Sequence, residues 1–185
     1  MKTIGSAIIM LVLTPSLFAD NGKELKLTSP DGTHEIAFYQ KQVSPAVNEL
    51  CYRVDYKSQP VVNESRAGLE LDNRIWEMAL GARNLKQPAC WMDNLEVDSV
   101  TYQPETDITW QPLYGERSSV RDHYRAGTLY LSKKDNSGYR LNIEVRAYNE
   151  GVAFRYFFPE HPKAIFHKVV GDLTEYALPD RKSVV

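Results

Sequence analysis

The chain has 185 residues and a formal net charge of −2, with 43% hydrophobic and 25% charged residues. These proportions are typical of a globular protein that is long enough to bury a core, and the aromatic content suits β-sheets and carbohydrate-facing surfaces alike. Without an excess of Lys and Arg the chain is not expected to bind nucleic acid, because phosphate binding requires clustered positive charge.

The N-terminal residues have the layout of a secretory signal peptide. Lys2 supplies a positive start, residues 4–13 are nearly all apolar or small, and Ala19 precedes a polar stretch. A retained membrane anchor is the alternative interpretation, although the apolar run is short for a bilayer. We therefore expect residues 1–19 to be cleaved, the mature chain to begin near Asp20, and the protein to be secreted or periplasmic with no membrane span.

Strand patterns follow the signal peptide. In "KELKLTSPDGTHEIAFYQK" apolar residues alternate with polar ones on both sides of the turn signal "SPDG", which predicts strand, turn and strand. The stretches "ELCYRVDYK" and "AGLELD" indicate further strands. Residues 75–85 predict one or two turns of helix, which Gly81 and Pro88 limit.

The clearest pattern in the chain, "GTLYLSKKDNSGYRLNIEVRAYNEGVAFRYFF", predicts two consecutive β-hairpins. The first turns through "KKDNSG", which ends in Gly138, and the second turns at "YNEG". Alternate residues of 141–145 share an apolar face, and Arg146 and Arg155 are expected to stack on aromatics or pair with Glu rather than bind a ligand. The chain contains roughly ten predicted strands, so the expected fold is an all-β antiparallel sandwich.

The C-terminal stretch "YALPDRKSVV" follows a predicted strand directly, without a polar tail or a cap. We expect residues 20–185 to form one β-sandwich domain that is truncated at its C-terminal end, or whose last few residues are not native. A sheet that ends there is expected to expose an unpaired edge.

Cys51 and Cys90 are the two cysteines of the chain, and their spacing leaves open whether they pair or remain separate thiols. Two cysteines do not complete a structural zinc site, and the four His residues lack a helical metal-binding spacing. The motifs of this chain therefore predict no metal site.

The segment "WQPLYGERSSVRDHY" concentrates more chemically capable side chains than any other part of the chain. In one interpretation its aromatics face a sugar ring or a partner chain, with Glu116 and the arginines oriented by hydrogen bonds. In the other it is a long inter-strand connection, in which Trp110 and Tyr114 anchor the loop in the core and Glu116 pairs with Arg117 or Arg121. The residue types alone favour the second interpretation.

The same segment carries the components of a catalytic triad without the expected geometry. Asp122 and His123 are neighbours, so their side chains point to opposite faces of a strand, and no Gly-x-Ser-x-Gly motif surrounds Ser118 or Ser119. A glycosidase needs two carboxylates at a defined separation, and the sequence does not place two of its carboxylates together. The sequence also lacks a P-loop and a dinucleotide fingerprint.

Three motifs together resemble the N-terminal domain of glycoside hydrolase family 97, a family of α-glucosidases and α-galactosidases. "LTSPDG" follows the signal peptide directly. "WQPLYGERSSVRDHY" is similar to Trp-x-Pro-x-aromatic-Gly-Glu followed by Arg-x-His-Tyr, and "RAYNEGVAFRYFFP" is similar to Arg-x-aromatic-x-x-Gly-hydrophobic-x-Phe-Arg-Tyr-x-hydrophobic-Pro. The resemblance covers the mature chain to about Pro179, and it departs from the family at Asp122, where members often have Asn.

The resemblance implies a β-super-sandwich that packs against a catalytic (β/α)8 barrel. In the family the catalytic carboxylates and most of the glutamates that hold calcium lie on the barrel, and the resemblance implies that the calcium ligand lent by the N-terminal domain lies beyond Pro179. The resemblance therefore assigns no catalytic and no metal residue to this chain. Calcium is implied only for the full-length enzyme, and an oligosaccharide is a candidate ligand. The candidates for the substrate rim or the interdomain contact are Trp110, Tyr114, Glu116, Arg117, Arg121 and His123.

The resulting hypothesis is a non-catalytic N-terminal domain fragment of a secreted α-glycosidase, inactive by itself, that shapes the rim of the barrel's pocket. The first alternative is a stand-alone extracytoplasmic module that binds carbohydrate or another protein. A self-contained hydrolase that uses carboxylates of this chain is the second alternative.

Overall fold

The computed structural model describes residues 24–45, 47–72, 74, 78, 81, 89–90, 94–133, 138–160 and 167–179. These residues form eleven strands: β1 (Glu24–Thr28), β2 (His34–Ser44), β3 (Val47–Tyr56), β4 (Gln59–Arg66), β5 (Leu69–Leu71), β6 (Ala89–Cys90), β7 (Leu95–Trp110), β8 (Val120–Lys133), β9 (Arg140–Tyr148), β10 (Gly151–Phe157) and β11 (Val169–Asp172). The first sheet has the order β1-β2-β3-β4, the second sheet β10-β9-β8-β7, and a small third sheet β11-β5-β6. All pairings are antiparallel.

Period-two alternation explains how the first sheet forms. Leu25 and Leu27 of β1 are buried, whereas Lys26 between them is exposed. Ile36 and Phe38 of β2 are fully buried and pair with β3. Because alternate side chains of a strand point to opposite faces, these residues give the sheet one apolar face that must be covered.

The second sheet supplies the covering face. On β9, Leu141, Ile143 and Val145 are buried and the residues between them are not, which confirms the predicted apolar face. The strands of both predicted hairpins also pair as expected, β8 with β9 in the first hairpin and β9 with β10 in the second. The 134–137 part of the first turn lies outside the described residues.

The two sheets enclose one core. β1 packs against β8 and β9, and β2 packs against β9 and β10. The ring of Phe38 lies 5.4 Å from that of Tyr52 and 5.1 Å from that of Phe154, measured between centroids. Each such side chain, when fully buried, stabilises the fold by roughly 1.5–3 kcal/mol relative to an exposed one. The predicted all-β antiparallel sandwich is therefore confirmed.

The segment after β11 continues along the edge of the first sheet. The N–H of Leu173 donates to the carbonyl of Gly68, and the N–H of Glu175 donates to the carbonyl of Arg66, both at 2.9 Å. The hydroxyl of Tyr52 donates to the carbonyl of Glu175 at 2.6 Å. Residues 173–177 thus extend the first sheet beyond β4 by backbone hydrogen bonds.

The predicted turn at "SPDG" after β1 is confirmed, and the structure shows that it is built around Asp31. Gly32 adopts φ 74°, and its N–H donates to the carbonyl of Ser29 at 2.9 Å. The Asp31 carboxylate accepts hydrogen bonds from Ser29 Oγ at 2.6 Å and from the N–H and Oγ1 of Thr33 at 3.0 and 2.9 Å. The bond from Ser29, followed by those from Thr33, lowers the pKa of Asp31 from 3.8 to about 2.

Asp31→Asn is expected to lower the urea midpoint of unfolding near pH 6, and the difference from wild type is expected to narrow as the pH falls from about 4 to about 2. The pKa of the folded state is lower than that of the unfolded state. The stabilisation by the carboxylate is therefore present above the unfolded-state pKa and is lost on acidification. Circular dichroism at several pH values measures the midpoints, and Glu96→Gln, at an exposed strand position, is the control. A difference that stays constant with pH would contradict this linkage.

Several predictions concern residues that the structure does not describe. The signal peptide of residues 1–19, the short helix predicted within 75–85 apart from Met78 and Gly81, and the side chain of Cys90 lie outside the described residues. Cys51 is a buried free thiol. In the described part of the chain, no helix has both the length and the apolar character needed to cross a membrane.

Candidate functional site

The strands β7 and β8 extend beyond the second sheet as a two-stranded hairpin. Pairing of β8 with β9 begins at Tyr124, opposite Tyr148, whereas pairing of β8 with β7 continues to Val120, opposite Trp110. We call residues 105–123 the hairpin arm. At about 3.3 Å per residue, its paired part projects roughly 13 Å from Tyr124, the last position that β9 supports, to Val120.

A register shift marks the base of the arm. The pairing moves from Gln103 with Ala126 to Thr106 with Tyr124, so β7 carries one extra residue in the stretch that contains Pro104. Proline has no N–H for the ladder and is tolerated at a bulge, and a bulge bends and twists the strand that carries it. The sequence therefore changes the direction of the hairpin at the place where the arm leaves the sandwich.

One face of the arm is a ladder of ion pairs. The guanidinium of Arg121 holds both carboxylate oxygens of Asp107, with Nε–Oδ1 at 2.7 Å and Nη2–Oδ2 at 2.6 Å. Two residues closer to the sandwich on β7, the carboxylate of Glu105 accepts hydrogen bonds from His123 Nε2 at 2.7 Å and from Arg125 Nε at 3.0 Å. This ladder holds the two strands together at cross-strand positions.

The ladder also lowers the pKa of its two carboxyl groups. His123, and after it Arg125, lowers the pKa of Glu105, and Arg121 lowers the pKa of Asp107. Because the ionised carboxylate of Glu105 only accepts hydrogen bonds, Nε2 of His123 carries the proton. Nδ1 of His123 is buried and has no hydrogen-bond partner among the described residues.

The ladder connects the arm to the sandwich through Arg125. Its Nη1 lies 3.4 Å from Thr28 Oγ1, and its Nη2 lies 3.5 Å from the carbonyl oxygen of Pro30. These long contacts join the base of the arm to the end of β1 and to the turn that follows it. The arm is thus a structured extension of the second sheet.

The other face and the tip of the arm are apolar and exposed. Ile108 and Trp110 lie on the face opposite the ladder, and Trp110 is 51% exposed beside Val120. At the tip, Leu113 is 99% exposed and Tyr114 is 90% exposed. Large apolar side chains that are exposed together on a projecting element are characteristic of a surface that contacts another molecule or domain.

The structure divides the six candidate residues between the strands and the loop of the arm. Trp110 ends β7, Arg121 and His123 lie on β8, and Tyr114, Glu116 and Arg117 lie in the exposed loop 111–119. The segment is therefore only partly a loop, because its first residue and its last five belong to strands.

Two expected contacts of this segment are wrong. Trp110 and Tyr114 do not anchor a loop in the core, because both are exposed on the arm, away from the sandwich. Arg121 pairs with Asp107 and not with Glu116. The physical reason is the length of β7 and β8, whose continued pairing carries this segment away from the core.

The arm does not form a catalytic triad. Asp122 pairs with Ile108 on one face of the hairpin, and His123 contacts Glu105 on the other, which confirms the expected separation of the neighbouring side chains. Within the described ranges no group of three or more His, Cys, Asp or Glu side chains is placed to hold a metal ion.

On the outer face of the second sheet, Arg146 and Arg155 each interact with neighbouring side chains of the same sheet. The guanidinium of Arg146 lies 4.4 Å from the ring centroid of Tyr124, and its Nη1 donates to Tyr148 Oη at 3.3 Å. Nε of Arg155 donates to Glu144 Oε2 at 2.7 Å. The prediction that these two arginines stack on aromatics or pair with Glu is confirmed.

Four further residues of the arm were not among the candidates predicted from the sequence. Ile108 and Leu113 extend its apolar surface, and Glu105 and Asp107 form the acidic side of the ladder. A signal for the ladder is present in the sequence. Acidic residues recur at a spacing of two in "PETDITW", basic residues recur at the same spacing in "RDHYR", and cross-strand pairing of these runs brings them together.

Comparison with known proteins decides which family contains this fold and this arm. The chain matches the family described as "Glycosyl-hydrolase 97 N-terminal" over residues 27–185. The chain belongs to this family. The resemblance inferred from the three motifs is thereby confirmed, and the sandwich with its arm is a glycosyl-hydrolase 97 N-terminal domain.

A retaining alpha-galactosidase of Bacteroides thetaiotaomicron is 27% identical to this glycosyl-hydrolase 97 N-terminal domain over 179 residues. The match covers 97% of this chain and 22% of that enzyme, so the chain spans about a fifth of the relative's length.

Solved structures share the fold of the domain. A glycoside hydrolase family 97 enzyme from Pseudoalteromonas sp. strain K8, in complex with panose, superposes with a TM-score of 0.67 at 24% identity, covering 84% of this chain and 20% of that chain. A beta-arabinopyranosidase superposes with a TM-score of 0.64 at 19% identity, covering 84% of this chain and 21% of its own.

Proposed function

We propose that this glycosyl-hydrolase 97 N-terminal domain is a non-catalytic part of a secreted or periplasmic α-glycosidase that hydrolyses α-glucosides or α-galactosides. In this proposal the hairpin arm packs on the catalytic (β/α)8 domain and lines the rim of its sugar pocket. The observation that carries the proposal is the exposed apolar tip at Leu113 and Tyr114, on an arm that ion pairs hold in place.

The chemistry of the arm supports docking rather than catalysis. The acidic groups Glu105 and Asp107 are each paired with cations and have a lowered pKa, so neither is suited to donate a proton as a general acid near neutral pH. Trp, Tyr and Arg are the residue types that dominate the energetics of protein interfaces, and the arm presents all three. The catalytic carboxylates accordingly belong to the other domain.

Calcium enters this proposal only through the full-length enzyme. Calcium binding needs six to eight oxygen ligands, and the described residues supply no cluster of acidic side chains for it. In this proposal the catalytic domain supplies most of the calcium ligands of the full-length enzyme.

The purified 185-residue chain is expected to show no hydrolysis of aryl α-glucosides or aryl α-galactosides, because the proposal places the catalytic carboxylates on the other domain and the ion-paired Glu105 and Asp107 are not suited to act as general acids. A spectrophotometric assay of the released aryl alcohol measures this, with a complete family 97 enzyme as the positive control. Turnover by the chain above a heat-inactivated sample would overturn the proposal and would favour a self-contained hydrolase.

A second candidate function is a module that binds carbohydrate by itself. The exposed rings of Trp110 and Tyr114 favour it, because sugars stack on exposed aromatic faces. In this case the isolated chain would bind a malto-oligosaccharide or a galactoside in calorimetry, and Trp110→Ala would abolish the heat of binding. The docking proposal expects no binding heat from the isolated chain.

A further inference from the structure

The tip of the hairpin arm is a run of seven consecutive exposed residues, 113–119, with Arg117 inside it. This run lies beyond the last cross-strand pair of β7 and β8, Trp110 with Val120. In the part of the chain that the structure describes, no hydrogen bond or ion pair joins the side chain of Arg117 to another residue. Exposed loop tips of this kind are the preferred sites at which peptidases cleave folded proteins.

The two arginines that follow on β8 are protected from such cleavage. Arg121 and Arg125 lie on a strand whose backbone pairs with that of β7. Their guanidinium groups are also held by the carboxylates of Asp107 and Glu105. A peptidase reaches a bond within a paired strand only after local unfolding, whereas the bond after Arg117 needs no such opening.

A cut at the tip divides the domain almost exactly between its two layers. The first fragment contains β1–β7, with the whole of the first sheet, and the second fragment contains β8–β11. β7 nevertheless belongs to the second sheet, where it pairs with β8 from Leu95 to Trp110. One strand of the first fragment is thus part of the sheet that the second fragment supplies.

The second fragment in turn supplies strands to the first. β11 pairs with β5, and the N–H of Leu173 donates to the carbonyl of Gly68 at 2.9 Å. In the core, the ring centroid of Phe154 lies 5.3 Å from that of Tyr52, which belongs to the other fragment. The two fragments therefore interlock, because each one pairs with strands of the other around one shared core.

We propose that the bond between Arg117 and Ser118 is a processing site for an endopeptidase that cuts after arginine, and that the domain persists after the cut as a two-chain form. The peptidase adds one water molecule across the C–N bond, which leaves a carboxylate on Arg117 and an amino group on Ser118. Both new ends lie in the exposed tip, so the cut removes no contact of the core.

Cleavage changes how the stability of the domain depends on its concentration. In the intact chain the two halves are held in one molecule, whereas after the cut they associate as two molecules. The stability of an assembly of two chains depends on protein concentration by mass action. We therefore expect the urea midpoint of the cleaved domain to rise with protein concentration, while the midpoint of the intact chain stays constant.

Brief digestion of the folded 185-residue chain with trypsin tests the proposal. Mass spectrometry is expected to detect one fragment that ends at Arg117 and one that begins at Ser118. Size-exclusion chromatography at low micromolar concentration is expected to elute both fragments together, at the position of the intact chain. Circular dichroism is expected to show that the β-sheet signal is retained.

Two variants of the tip and one matched control identify the cleaved bond. Arg117→Gln is expected to abolish formation of this pair of fragments, because trypsin requires a basic residue before the bond. Arg117→Lys keeps such a residue and is expected to preserve the cut. Lys57→Gln removes another exposed basic side chain, in the turn between β3 and β4, and is expected to leave formation of the fragments unchanged.

Three results would overturn the proposal. The first is that no fragment ending at Arg117 forms from the folded chain. The second is that the two fragments separate in chromatography without denaturant. The third is that the urea midpoint of the cleaved domain does not change with protein concentration. None of these results bears on docking by the arm, because the digestion uses the chain without a catalytic domain.

Discussion

Leu129→Ala is expected to lower the free energy of unfolding by about 2–5 kcal/mol, whereas Leu113→Ala is expected to change it by less than about 0.5 kcal/mol. Leu129 is 0% exposed on β8, where it lies between Val100 of β7 and Ile143 of β9. Truncating it removes buried apolar surface and leaves a cavity. Leu113→Ala removes the same side-chain atoms at a position that is almost fully exposed.

Urea unfolding followed by circular dichroism measures both variants under one set of conditions. A domain of this kind is stabilised by about 5–15 kcal/mol, so the Leu129 variant is expected to remain folded in water but to unfold at a much lower urea concentration. Equal midpoints for the two variants would mean that β8 is not part of the core, and it would contradict the sandwich.

Leu113→Asp is expected to weaken the association of this domain with the proposed catalytic domain by about 5- to 100-fold, which corresponds to the roughly 1–3 kcal/mol of an interface anchor. The proposed docking buries the exposed tip of the arm, and a carboxylate at its most exposed apolar position would have to be desolvated. The two domains, produced as separate polypeptides, allow the dissociation constant to be measured by calorimetry.

Val43→Asp is the matched control, because it places the same carboxylate at an exposed apolar position on β2. We expect it to leave the dissociation constant unchanged. The stability of both variants is expected to match wild type, since neither side chain belongs to the core. Wild-type affinity in Leu113→Asp would exclude the tip as the docking surface and would leave the rest of the arm to be tested.

The core strands were predictable because their signal is local. Leu141, Ile143 and Val145 alternate with polar residues, and an apolar face of period two has to be buried wherever the strand lies in the fold. The turn at Asp31 was predictable for a similar reason, because its bonds to Ser29 and Thr33 join residues within two positions.

The position of the candidate site was not predictable from such local signals. Trp110 and Tyr114 are residues that ordinarily pack in a core, and nothing within the segment shows that β7 and β8 pair beyond the reach of β9. The ladder of Glu105, Asp107 and Arg121 depends on the same cross-strand register, which bulges at Gln103. A one-residue difference in that register would place the charges on the opposite face.

The sequence by itself determined the fold class, the two hairpins after Gly127 and, through its motifs, the family. These properties depend on alternation, turn residues and residue identity, which are read within short stretches. Only the tertiary structure decided that the segment from Trp110 to Tyr124 projects as an arm, and that the described strands leave an apolar groove between the first sheet and β10. Both features depend on how far one strand extends beyond its neighbour and on how the two sheets are offset. These are relations between residues that are distant in the chain.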